Sequence, residues 1–246
     1  GLYALLWGLT FYLVVITAWP LGRLLAEVFL SVKGNPPFVK EVLSSPASIR
    51  ALKNTSDAAF WASALSVLVG TLGALLVTLT DIRSKRILSF LILLPMLIPS
   101  QITALAWKMM VDFVSKPGSP NPLYSREGVI LVLGIEHSTL VFLSVRASLQ
   151  GLSWDLVEAA RVLGARPLRI TRTVILPLAA PGIMAGFALS FVAGIGNFGV
   201  PALLGIPGKF PVLTTLIYRK LNGFGPSVLG ETAILSLVLM GDRKSV

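Results

Sequence analysis

Long apolar runs alternate with short polar ones along this chain. Residues 2–22, 58–80, 87–111, 128–150 and 178–200 carry few charges, and each reaches the roughly 20 residues that a helix needs to cross a bilayer. A last run, 228–240, is shorter and reads as a sixth span cut short, or as the end of a fragment. Polar segments separate the runs. Residues 31–56 hold Pro36-Pro37, Ser44-Ser45-Pro46 and scattered Lys, with room for one short surface helix. A compact basic connection, Asp81-Ile82-Arg83-Ser84-Lys85-Arg86, follows the second run. Pro117-Gly118 and Pro120-Asn121-Pro122 mark turns in 112–127. Residues 151–173 and a Gly- and Pro-rich loop at 205–226 complete the set. The pattern predicts an all-α, polytopic membrane protein of about six transmembrane helices. The polar stretch divides it into 1–56, a first span with its loop, and a core at 57–246.

Within the spans, small and polar residues stand out. Gly70 and Gly73 with Ser63 and Ser66, and Gly182 with Gly186, predict helix faces that pack closely on a neighbour. Pro95 and Pro99 predict a kink whose freed carbonyls find partners in neighbours or in a cavity. Gln101 and Thr103 follow at once, and Asn197 stands between glycines. These five are the candidates for a translocation path, although a bent structural helix and a helix terminus show the same features. Glu136 and His137 are ionisable residues inside a span, a functional signal by default. They are adjacent and point in different directions, with no second carboxylate or His one turn away. A hydrogen-bonded packing role suits them better.

Composition agrees with the pattern. The chain is 54% hydrophobic and 13% charged, against about 25% charged in soluble domains, and its mean hydropathy is +0.83. The net charge of +10 is scattered among loops, without an aromatic-basic patch. Loops beside anionic lipid explain it better than nucleic acid does. There is no Cys and one His, so neither a disulfide nor a metal site is expected, and no cofactor. The chain has no G-x-x-x-x-G-K-[ST] phosphate loop, no HExxH and no nucleophile elbow, which argues against ATP hydrolysis by this chain and against a stand-alone enzyme.

One polar segment carries more information than the others. Ser153 is placed to cap a helix, with Asp155 and Glu158 near its positive end. Leu156, Ala160 and Leu163 recur at helical spacing as one apolar stripe, and Glu158 and Arg161 are spaced to pair. Gly164 suits a C-terminal cap and Pro167 the first turn of a second helix, which Pro177 and Pro181 should kink or end.

Glu158-Ala159-Ala160, three residues, Gly164, nine residues, then Val174, Leu176 and Pro177 resemble the EAA motif of permease subunits in binding-protein-dependent ABC importers. Val174 stands where the family usually has Ile. The resemblance implies that 151–177 is a cytoplasmic loop. Its helix, from about Ser153 to Leu163, would dock in a cleft on a separate ATPase, with Glu158, Ala159, Ala160 and Gly164 as contact or hinge residues. It further implies two ATPase subunits, a soluble substrate-binding protein, a bacterial inner-membrane location, and a partner that is a second permease half or another copy of this chain. Counting basic residues in the loops supports that orientation only weakly; the motif carries it.

The resemblance covers about 58–240. Ile195-Gly196-Asn197-Phe198-Gly199-Val200-Pro201-Ala202-Leu203-Leu204-Gly205 and Val212-Leu213-Thr214-Thr215-Leu216-Ile217-Tyr218 are similar to ferric-iron-type importer permeases, with spermidine/putrescine-type ones as near relatives. Ferric iron is therefore the implied cargo, and a polyamine or another small solute the alternative. An ion-gradient-driven secondary transporter would want paired intramembrane charges and inverted repeats, and Glu136 alone is a thin basis for one.

Overall fold

Pro99 fixes the most abrupt feature of the fold. The computed structural model describes residues 2–34, 38–80, 83–116, 118–223 and 228–242. Pro36-Pro37, Asp81-Ile82, Pro117, residues 224–227 and the tail 243–246 lie outside them. Where one kinked span is expected at 87–111, two helices form: α4 (Lys85–Leu97) and α5 (Ser100–Val114), bent by 110° at the break. Ile98 is extended, with φ −105° and ψ 129°, because a following proline excludes the helical region. Pro99 offers no N–H, so its carbonyl instead accepts from Thr103 N (3.1 Å) and starts the next helix.

The other elements, in chain order, are α1 (Leu2–Gly34), α2 (Phe38–Ser44), α3 (Pro46–Leu79), α6 (Arg126–Gln150), α7 (Asp155–Val162), α8 (Pro167–Ile170), α9 (Leu176–Gly196), α10 (Leu213–Leu221) and α11 (Val228–Asp242). Five-residue π-helical turns occupy Thr171–Ile175 and Pro201–Gly205. Among the described residues, α3, α6 and the continuous Pro167–Gly196 run are long and apolar enough to cross a bilayer; the bent pair adds a fourth if taken as one span. Leu5–Pro20 and Gly230–Met240 are shorter apolar helical stretches. The all-α, polytopic architecture is as the hydropathy pattern predicts.

Three expectations about boundaries change. The segment 31–56 is more helical than a polar loop, since α3 begins at Pro46. The 205–226 segment contains α10, too short and too polar on one face to register as a periodic run. Span five does not begin afresh after the polar segment, and Pro177 and Pro181 do not end its helix. A π-helical turn precedes Pro177, and the amide of Leu176 bonds back to Thr171 O. The wider turn absorbs the missing N–H, and the helix runs on through Pro181 to Gly196.

The chain divides into two compact units, Gly1–Ala51 with Leu216–Ser245, and Leu52–Thr215. In the first, α1, α2 and α11 pack together, with Val42 of α2 and Ala233, Ile234 and Leu235 of α11 buried. Lys220 and Glu231 form an ion pair of 2.5 Å from α10 to α11. The apolar part of α1 is exposed, with Trp7, Phe11 and Trp19 all more than two-thirds accessible, as suits a lipid-facing helix.

In the second unit α6 is the central and most buried spanning helix, with Leu131 and Leu143 still more than a third exposed. Val129, Leu133, Phe142, Val145 and Leu149 are at most 1% exposed. The small-residue faces work as expected. A Cβ on Gly70 of α3 would stand 2.5 Å from Ser138 O, and one on Gly186 of α9 would stand 2.9 Å from Val141 Cα. Both are impossible contacts, so glycine lets α3 and α9 lie backbone-close to α6. Ser66, fully buried, donates to Gly134 O at 2.8 Å and adds a polar tie between α3 and α6. Arg126 clasps Asp57 with two bonds, one of 2.7 Å, at the other end of α6.

Candidate functional site

The segment 151–177 is built on two short helices and one left-handed residue. Gly164 has φ +78°. Its amide donates to Arg161 O at 2.9 Å, and that of Ala165 donates to Ala160 O at 3.1 Å. This bond pair is a Schellman cap, and it reverses the chain between α7 and α8 as the sequence predicts. Arg166 is extended. Pro167 occupies the first turn of α8, as predicted.

The face of α7 differs from the expected one. Val157 is 4% exposed and Ala160 packs beside it, whereas Leu156 is 51% and Leu163 86% exposed. With only eight residues, α7 has little stripe of its own, and the Gly164 turn decides which side faces inward. Ser153 does not cap the helix. Trp154 holds the cap position without a side-chain bond, and the Ser153 hydroxyl donates to the Asp155 carboxylate at 3.3 Å. Glu158 and Arg161 do not pair with each other and lie exposed.

The seven motif residues fall into two groups. Ala160 and Val174 pack on a cluster that contains Val157, Ile170 and Ile175 together with Ala74 and Val77 of α3, Val145 and Leu149 of α6, and Ala179 of α9. Glu158, Ala159, Gly164 and Pro177 are exposed, and Leu176 is half-buried. Val162, Leu163 and Leu168 are 88%, 86% and 70% exposed, and they stand among the exposed Arg161, Arg166, Arg169 and Arg172.

A second constellation sits at the break in the bent pair. Ser100, the first residue of α5, donates its hydroxyl to Glu136 on α6. The Asn197 amide, just past the end of α9, donates to Ser100 Oγ at 3.0 Å. Asn197 also accepts from Val200 N (3.2 Å) and, through its carbonyl, from the Thr214 hydroxyl (3.0 Å). Gly199 makes the approach possible, since a Cβ there would lie 2.7 Å from Ser100 Cβ. Glu136 is 9% exposed. Its second oxygen and His137 Nδ1 are buried without hydrogen-bond partners among the described residues.

Of the five path candidates, Pro95 and Pro99 shape the break and Asn197 joins the polar junction. Gln101 is exposed, and Thr103 turns its hydroxyl back to Pro99 O at 3.5 Å. Sequence reasoning missed Ser100. A serine directly after Pro99 reads as a local helix-start residue, and only the 110° bend aims it at a residue on another span.

Residues 66–243 match the protein family described as "Binding-protein-dependent transport system inner membrane component". The chain is 28% identical over 236 residues to a Salmonella typhimurium protein named for a 2-aminoethylphosphonate transport system permease, across 89% of this chain and 82% of that one. It is 28% identical over 207 residues to the sulfate transport system permease protein of the same organism, across 81% and 74%. In fold it is similar to a chain of a bacterial alginate ABC transporter solved with an alginate pentasaccharide-bound periplasmic protein, with TM-score 0.79, 18% identity, and 99% and 90% coverage. It is also similar to a chain of the MetNI methionine ABC transporter in an inward-facing conformation, with TM-score 0.65, 20% identity, and 80% and 91% coverage.

Proposed function

The chain belongs to the family of binding-protein-dependent transport system inner membrane components, and we propose that it forms the translocation path of an importer for a small oxyanion, driven through residues 151–177 by a separate ATPase. The observation that carries this reading is the shared cluster: Val157, Ile170 and Ile175 of the segment pack with residues of α3, α6 and α9. A push on α7 therefore reaches three helices at once, because a close-packed interior transmits displacement.

Val162, Leu163 and Leu168 support a docking role. A protein surface that covers these apolar side chains removes their area from water, and the surrounding arginines supply polar contacts at its rim. In this reading the segment faces the cytoplasm. Two ATPase subunits close on two such helices, one from this chain and one from a second permease half or a second copy. A soluble binding protein delivers the solute from the opposite side. The bent pair and the Ser100–Glu136–Asn197 junction line the path, and alternating access moves that junction between two arrangements.

The cargo reading rests on the relatives. Those named for 2-aminoethylphosphonate and sulfate support a tetrahedral oxyanion and lend no support to ferric iron or a polyamine. The test is uptake by membranes containing this chain, an ATPase and a binding protein, with labelled sulfate, 2-aminoethylphosphonate and ferric iron as competing cargoes. ATP-dependent uptake of an oxyanion is expected. Uptake of ferric iron alone would overturn the cargo, and purification of the active system without an ATPase would overturn the coupling.

A further inference from the structure

A cleft of about 530 Å³ opens where the end of α3, the first turns of α4 and the end of α6 converge. The coupling segment and the polar junction leave it unused. Three cations line it, Lys85, Arg86 and Arg146, with Thr78 and Gln150 as further polar groups. No acidic side chain lines it among the described residues.

Arg86 and Arg146 are presented rather than neutralised. The Arg146 guanidinium lies over the Phe142 ring, 5.8 Å from its centroid, a contact that uses none of its N–H donors. Among the described residues neither Arg86 nor Arg146 enters an ion pair. Lys85 and Arg86 also open the 13-residue α4, whose N-cap Ser84 makes no side-chain cap bond, so the positive end of that helix adds to the same field.

Apart from Ser89, whose hydroxyl donates to Lys85 O at 2.8 Å, the remaining walls are apolar. Val77, Phe90 and Leu93 line the cleft, and Phe90 is 58% exposed. Arginine and lysine above an apolar wall, at the ends of spanning helices, match a charged headgroup with a hydrocarbon tail below it.

We propose that this cleft binds a phosphate oxyanion held by Arg86 and Arg146. The phosphodiester of an anionic phospholipid and a free phosphate-like anion share that chemistry. The apolar wall separates the two sources, because only a lipid uses Phe90. The site sits behind the coupling segment, since Val77 belongs to the same cluster as Val157 and Ile175. The proposal does not depend on the cargo or on transport, because its readout is binding.

The test is native mass spectrometry of the full chain, released from nanodiscs and titrated separately with phosphatidylglycerol, phosphatidylcholine and inorganic phosphate. Phosphatidylglycerol is expected to be retained over phosphatidylcholine. Arg86→Gln and Arg146→Gln should each weaken retention about fivefold, and Arg146→Lys should restore most of it. Phe90→Ala should weaken lipid retention and leave inorganic phosphate binding alone. Phosphate adducts with no preference between the lipids would assign the site to a free oxyanion. Equal retention of both lipids without phosphate adducts, or an unchanged Arg86→Gln/Arg146→Gln double variant that elutes as a folded monodisperse species, would overturn the proposal.

Discussion

The hydroxyl of Ser100 donates to the carboxylate of Glu136, tying the first residue after a 110° break to the middle of the most buried helix. One oxygen of that carboxylate depends on Ser100, and the other has no partner among the described residues. Ser100→Ala should therefore destabilise the protein by about 1–3 kcal/mol, the usual cost of leaving a buried acceptor unpaired. Glu136→Gln keeps an acceptor for Ser100 and adds an N–H, so it should cost less. Thermal unfolding in detergent checks the order, and a Ser100→Ala variant as stable as the parent would show that the bond is not made.

Gly164 offers a second test because its constraint is purely conformational. A Cβ there meets nothing within 4 Å, while φ is +78°. Gly164→Val should distort the turn, costing at least the roughly 1–2 kcal/mol of a left-handed non-glycine residue, and should abolish most uptake with insertion unchanged. Gly164→Asn should keep far more activity, since Asn tolerates this conformation. Equal uptake by the two variants would mean that the turn does not matter to transport.

Glu158 and Ala159 are exposed on α7, ahead of that turn. Glu158→Lys should leave the protein inserted and as stable as the parent while lowering uptake at least severalfold, because the change alters only a surface charge. Normal uptake would remove Glu158 from the contact surface.

The glycines of α3 should behave unequally. A Cβ at Gly70 would collide with the backbone of α6 at 2.5 Å, whereas one at Gly73 meets the end of the Ile92 side chain at 2.9 Å. Gly70→Ala should lower stability by several kcal/mol, in the range of overpacked cores, and Gly73→Ala by less than about 1 kcal/mol, since Ile92 has room to turn. Denaturant titration of the two variants side by side distinguishes them.

The chain has no Cys, so a single introduced thiol is a clean reporter. Val162→Cys should react with a membrane-impermeant maleimide only when the cytoplasmic face is accessible, and an added ATPase should protect it. Labelling from the exterior would refute the orientation, and labelling unchanged by the ATPase would refute the docking face.

Much of this was legible in the residues because the signals were local. Gly164, Pro167 and Pro99 act through their own backbone, and the small residues of α3 and α9 repeat at helical spacing. Long-range choices were not legible. Whether α7 buries Leu156 or Val157 depends on where Ile170 and Ile175 lie, and whether Ser100 caps a helix or reaches Glu136 depends on a bend whose size Pro95 and Pro99 do not specify. The cleft between α3, α4 and α6 was hidden for the same reason, since Arg146 and Lys85 are far apart along the chain.

The π-helical turn at Thr171–Ile175 has a geometric consequence. It holds one residue more than the α-helical turn it replaces, so the helix before it and the helix after it stay nearly in phase although a residue has been added. Deleting one residue there would close an ordinary turn and leave α8, with α7 behind it, facing much as before, whereas a deletion within regular α-helix would swing whatever precedes it by roughly 100°. The wide turn thus makes this stretch tolerant of a change in chain length that elsewhere along the shaft of α9 would re-aim the arm.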